Sequence, residues 1–118
     1  MTADNPTVEV WRIFTREDGK TSMEAVQAPV GQLLAGKVQF QRIRLNNDPR
    51  WHTAPRRQIT ATISGSGEIE TGDGQVINLA PGVVLLLEDL TGEGHITRTT
   101  GDTDRFALFL PIDDETIL

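Results

Sequence analysis

Turn signals follow one another so closely in this chain that short strands, and no long helix, fit between them. Asp18-Gly19 separates "TVEVWRIF" from "SMEAVQAPV", which ends near Pro29, and Gly72-Asp73-Gly74 sits inside "GSGEIETGDGQVINL". Both are hairpin signals, because Asp and Gly tolerate positive φ. "APG" turns into "VVLLLED", "LTGEG" into "HITRTTG", and "DTD" into "RFALFLPI". "RRQITATISG" alternates cleanly, with Ile59, Ala61 and Ile63 on one face and Gln58, Thr60 and Thr62 on the other. The unbroken apolar run in "VVLLLED" predicts a strand buried on both sides. "KVQFQRIRL" has a phase fault, since Val38 and Phe40 share one face and Ile43 and Leu45 the other. A β-bulge near Gln41 or Arg42 would reconcile them. "GQLLAG" fits one helical turn or a loop, "NNDPRWHTAP" a loop, and "DDETIL" a loosely held end. Short strands at such intervals predict an all-β sandwich or barrel.

The 118 residues suit a single domain, 1–118, with one core. No run approaches the ~18 apolar residues of a membrane span, and the N-terminus carries no secretory pattern. The chain has no cysteine, hence no disulfide framework and no thiolate. A cytoplasmic protein without a membrane partner is the expectation. The net charge of −6 argues against a nucleic-acid partner. Arg50, Arg56 and Arg57 form a local exception, suited to a small anion or to surface carboxylates.

Two histidines, His52 and His95, stand in a specific setting. From Trp51 the order is His, alternating strand, glycine hairpin, Pro-Gly turn, apolar strand, His. This order resembles the small single-domain bacterial cupins, antiparallel β-barrels (double-stranded jelly rolls) in which two short motifs carry metal ligands. The first motif has two histidines one residue apart, a glutamate, and a glycine seven positions beyond it. With Gly65 fixing the frame, the first histidine is His52, the second falls on Ala54, and the glutamate position falls on Gln58. Pro81-Gly82, "VVLLLE" and His95 match the second motif, with "EDLTGEG" lengthening the approach. The resemblance covers roughly residues 37–112. It implies a cupin barrel, one divalent transition metal (Zn, Ni, Fe or Mn) on His52, Gln58 and His95, and a homodimer. Sheet edges need cover, which makes the strand around Val8 to Phe14 a candidate for pairing across a two-fold.

In such a barrel His52 points into the cavity, Gln58, Thr60 and Thr62 line it, and alternation from His95 continues inward through Thr97 and Thr99. A barrel of this size holds one small ligand. Neutral imidazoles are good ligands for a transition metal, whereas the Gln58 amide lacks the charge of a glutamate. Glu88 or Asp89 could supply a carboxylate, and only one of them points inward; Asp89 fits a solvated strand end better than Glu88 does. Without a metal, His52, Glu88 and His95 are the candidate acid–base groups. Isomerisation, cyclisation or dehydration of a small ketone or aromatic precursor suits them. Trp51 could wall the pocket with Thr60, Thr62 and Thr97, and Arg56 could hold a substrate anion at the rim; Arg57 alternates outward. Two functional classes follow: a small cupin enzyme acting on a small organic molecule, or a non-catalytic cupin that binds a small ligand or forms a structural dimer.

Overall fold

A computed structural model describes residues 7–29, 38–45 and 49–114. "GQLLAG", the "NND" of the following loop, and the last four residues of "DDETIL" lie outside the described residues. Nine strands and no helix occur among the described residues: β1 (Thr7–Thr15), β2 (Thr21–Pro29), β3 (Gln39–Ile43), β4 (Gln58–Ser64), β5 (Ser66–Glu70), β6 (Val76–Asn78), β7 (Val84–Leu87), β8 (Ile96–Thr100) and β9 (Arg105–Pro111). No helix there is long and apolar enough to cross a membrane. The strands form a six-stranded sheet, ordered β2-β1-β7-β4-β9-β3, and a three-stranded sheet, ordered β6-β5-β8. All pairings are antiparallel except β1 with β7. The two sheets are not closed into a barrel.

The β1–β2 hairpin turns where Asp18-Gly19 predicts, with Gly19 at φ 83° and the Arg16 amide bonded to the Lys20 carbonyl. β1 is an internal strand, hydrogen-bonded to β2 on one side and to β7 on the other. The pairing with β7 covers Trp11–Ile13, and the outermost strands of the large sheet are β2 and β3.

Leu85, Leu86 and Leu87 are all buried, as the unbroken run in β7 requires. Leu85 and Leu87 join Ile13, Met23, Ala54, Ile69 and Leu79 in a cluster drawn from both sheets. Leu86 points the other way and packs with Val10, Ala28 and Ile112, with Ile59 and Val84 against them. The large sheet thus buries apolar side chains on both faces.

The expected bulge near Gln41 or Arg42 is absent. β3 pairs with β9 in unbroken register from Gln39–Phe109 to Ile43–Arg105. The phase fault resolves through exposure instead, because Phe40 is 78% accessible and Val38 46%. A register shift does occur in β4, between Thr62 and Ser64. There the chain leaves one sheet for the other with only Gly65 between β4 and β5. Gly65 sits at φ 81°, and a Cβ on it would collide with the Asp104 carbonyl oxygen. Only glycine serves at this corner.

Ile13 is fully buried in the cluster shared by the two sheets. Ile13→Ala is expected to cost about 2–5 kcal/mol in urea unfolding; a loss below about 0.5 kcal/mol would show that the cluster does not hold the sheets together.

Candidate functional site

A cavity of about 330 Å³ opens between the sheets. Its walls include the polar face of β4 (Gln58, Thr60, Thr62), with Gln39 and Gln41 from β3, Thr97 from β8, and Leu85 and Leu87 from β7. Gln58, Thr60 and Thr62 are only 5–6% accessible. Three polar side chains in succession therefore face inward, while Ile59 packs on the opposite face. His52, Arg56 and His95 also line this cavity. Trp51 does not; its side chain is 46% accessible and outside the wall.

The two histidines are direct backbone partners. His52 and His95 form an isolated antiparallel bridge in which each amide donates to the other's carbonyl at 2.9 Å. Close approach of the two segments depends on Gly94, at φ 80°, where any Cβ would run into the His52 carbonyl. The Gly94 carbonyl accepts a 2.6 Å bond from Thr21 Oγ1, which fixes this segment against the start of β2. The bridge brings the imidazole centroids to 4.7 Å, with the rings tilted by 57°.

Each ring has its Nδ1 committed. His52 Nδ1 lies 2.8 Å from the Arg50 carbonyl oxygen, which can only accept, so this nitrogen carries the proton. His95 Nδ1 lies 2.5 Å from Asp89 Oδ2, and the carboxylate orients the ring in the same sense. With Nδ1 engaged in each ring, Nε2 is the nitrogen that each could offer to a proton or a ligand, an orientation common at metal-binding and catalytic histidines. His95 and Asp89 are 3% and 0% accessible. No group of three or more His, Cys, Asp or Glu side chains able to hold an ion occurs among the described residues. Gln58 brings an amide to the same cavity wall as the two imidazoles, and Asp89 Oδ1 is buried without a hydrogen-bond partner.

Of the two neighbouring acids, whose directions the sequence left open, the buried one is Asp89, although it was the better fit to a solvated strand end. Alternation from Leu85 and Leu87 carries Asp89 inward and sends Glu88 to the outer face. There Arg12 Nε donates to Glu88 Oε1 at 2.6 Å, and Arg57 Nε to Oε2 at 2.5 Å. Glu88 is not on the cavity wall. The outward direction of Arg57, legible from its alternation with Gln58, was the available signal for where its acidic partner stands. Sequence reasoning also passed over Arg105, which opens β9, lines the cavity and is 6% accessible. Its signal was parity with Ala107 and Phe109 in an otherwise apolar strand.

Burial alone would raise the Glu88 carboxyl. Hydrogen bonds and charge from Arg12 and Arg57 outweigh that and hold it below the ordinary glutamate range. A carboxyl depressed in the folded state contributes stability above its unfolded pKa and loses it as pH falls through the folded value. Glu88→Gln should therefore lower stability at neutral pH and flatten its acid dependence. Urea unfolding from about pH 7 to about pH 3 measures this; parallel curves for the two proteins would remove Glu88 from the acid response.

No protein-family model matches this chain and no curated protein sequence matches it, so the assignment of a function rests on the cavity and its side chains.

Proposed function

We propose that this chain is a cupin-like enzyme that acts on a small organic molecule between its two sheets, by proton transfer at His95 assisted by His52. The observation that carries this reading is the fully buried Asp89 carboxylate bonded to His95 Nδ1 on the cavity wall. Asp89 holds the ring in one orientation and keeps Nε2 toward the cavity. When Nε2 accepts a proton, the Asp89 charge stabilises the imidazolium that forms. His52, more exposed and in ring contact with His95, is placed to pass a proton between the cavity and solvent. Abstraction of a proton beside a carbonyl, followed by its return elsewhere or by loss of a leaving group, gives isomerase, cyclase or lyase chemistry. Mixed walls of apolar and polar side chains suit such a substrate.

Proton exchange provides a direct test. In D2O, small ketones and keto acids should lose their α-protons faster with the protein than in buffer. His95→Gln should slow this by about 10²–10⁴-fold. If no compound exchanges, or His95→Gln exchanges as fast as wild type, the proton-transfer reading fails.

A second reading is favoured by one specific observation, the engagement of both Nδ1 atoms on imidazole rings 4.7 Å apart. His52, His95 and Gln58 would hold one divalent transition ion, among Zn, Ni, Fe and Mn, and such an ion would polarise a substrate oxygen. Under this reading His52→Ala and His95→Ala each weaken binding strongly, while Gln58→Glu tightens it by replacing a neutral oxygen with an anionic one. Calorimetric titration of chelator-treated protein with Zn, Ni and Mn decides. Absence of binding leaves the histidines to proton transfer or to a non-catalytic ligand-binding role.

A further inference from the structure

One end of the cavity contains a buried positive charge with no negative partner among the described residues. Arg105 reaches inward from the first position of β9, and its Nη1 donates to Thr62 Oγ1 at 3.0 Å. Its Nε is buried and makes no hydrogen bond. The nearby acids are occupied elsewhere: Asp104 pairs with Arg42, and Glu68 with Arg98. Burial is the one influence on its pKa, and it lowers it, yet a guanidinium remains charged throughout the working range of a protein. The charge is therefore present and largely dehydrated, which is costly unless something neutralises it.

The surroundings are built around this side chain. Gly67 of β5 lies against it, and a Cβ there would sit 3.2 Å from both Arg105 Cδ and Nε. Thr60 Oγ1 is buried on the same β4 face as Thr62, and it too lacks a hydrogen-bond partner. Arg56 adds a second cation to the cavity wall, and no Asp or Glu among the described residues lines it. In a chain of net charge −6, a cavity with two arginines and no acid on its wall selects for negative charge.

The arginine and the histidines occupy opposite ends. Thr62, which Arg105 touches, is four residues along β4 from Gln58, whose cross-strand partner Leu87 lies two residues before Asp89. At about 3.3 Å per residue this separation is roughly 13 Å. We propose that Arg105, with Thr60 and Thr62, is the carboxylate-binding end of the cavity, and that the ligand is an elongated monocarboxylic acid whose other end meets His52 and His95. The carboxylate accepts from the guanidinium and the threonine hydroxyls and balances the buried Arg105 charge. The anion site stands on Arg105 alone, whereas the placement of a reacting end at the histidines rests on the function proposed above.

Titration calorimetry with benzoate, levulinate and hexanoate, each against its primary amide, tests the assignment. At least one acid should bind, at least about tenfold more tightly than its amide, because the amide keeps the shape and loses the charge. Arg105→Met should reduce acid binding by about tenfold or more and raise the melting temperature of the ligand-free protein, since it removes an uncompensated buried charge. Glu88→Gln, on the outer face of the sheet and away from the cavity, should leave acid affinity within about threefold of wild type. Should Arg105→Met fail to fold, the Arg105 Nε–H NMR resonance of the wild type serves instead, shifting with acid and not with amide. Equal binding of acids and amides, undiminished binding by Arg105→Met, tighter binding of inorganic phosphate than of any acid, or no acid binding at all would overturn the proposal. Arg105-dependent acid binding without proton exchange in any compound would defeat the catalytic reading and support this one. His95-dependent exchange that is indifferent to the carboxylate would do the reverse.

Discussion

The backbone bridge between His52 and His95 is the contact on which the interior depends. His52 belongs to the loop that leads into β4 of the large sheet, and His95 immediately precedes β8 of the small one. Two hydrogen bonds at 2.9 Å therefore fasten one sheet to the other at this end of the molecule. At the other end the sheets are joined covalently, through the Gly65 corner between β4 and β5. Both attachments need a glycine at positive φ, Gly94 at the bridge and Gly65 at the corner, because backbone approaches backbone too closely for a side chain. Held at two ends and filled by Ile13, Ile69, Leu79 and Leu85 to one side, the intervening space stays open along the polar face of β4.

That space is polar in an ordered way. The buried acid, Asp89, is neighboured by a histidine, and the buried base, Arg105, by threonines. The two opposite charges do not neutralise each other. A core optimised for stability alone would place aliphatic side chains at Gln58, Thr60 and Thr62 and would have no reason to keep either charge. Retaining them costs stability, and it leaves a histidine–carboxylate pair toward one end of the lining and a cation toward the other. The outer face of the same sheet follows the opposite rule, with Arg12 and Arg57 closing on Glu88 in a compact ionic cluster.

Much of the strand order was legible in the sequence because its signals are local. Asp18-Gly19 and the glycines at 72 and 74 mark hairpins whichever way the sheets pack, and the alternation from Gln58 to Ile63 marks two faces. The inward direction of Gln58 and the outward direction of Arg57 follow from that alternation alone. The orientation of Glu88 and Asp89 did not, since β7 is apolar on both sides and a run of leucines carries no phase. The phase fault at β3 was misread for a related reason. Phe40 was assumed to need burial, and on an edge strand it is exposed instead. Sheet closure was not legible at all, because it depends on how the strands curve and pair across the molecule. Arg105 was overlooked because "RFALFLPI" is apolar on both faces, and nothing local shows which face of that strand meets the cavity.

The single parallel pairing, between β1 and β7, carries a consequence for how the chain assembles. β1 and β2 are adjacent in sequence and can form their hairpin early, since closing a short loop is fast. The neighbour that takes the other edge of β1 is far down the chain, and 76 residues separate Arg12 from the Glu88 that it meets there. During synthesis the first hairpin therefore waits, with one edge unpaired and its apolar side chains uncovered, until the leucine strand has emerged. Such non-local pairing slows folding, and exposed edges are where chains associate wrongly. The sequence distance between these two strands sets the interval over which the nascent protein is most vulnerable.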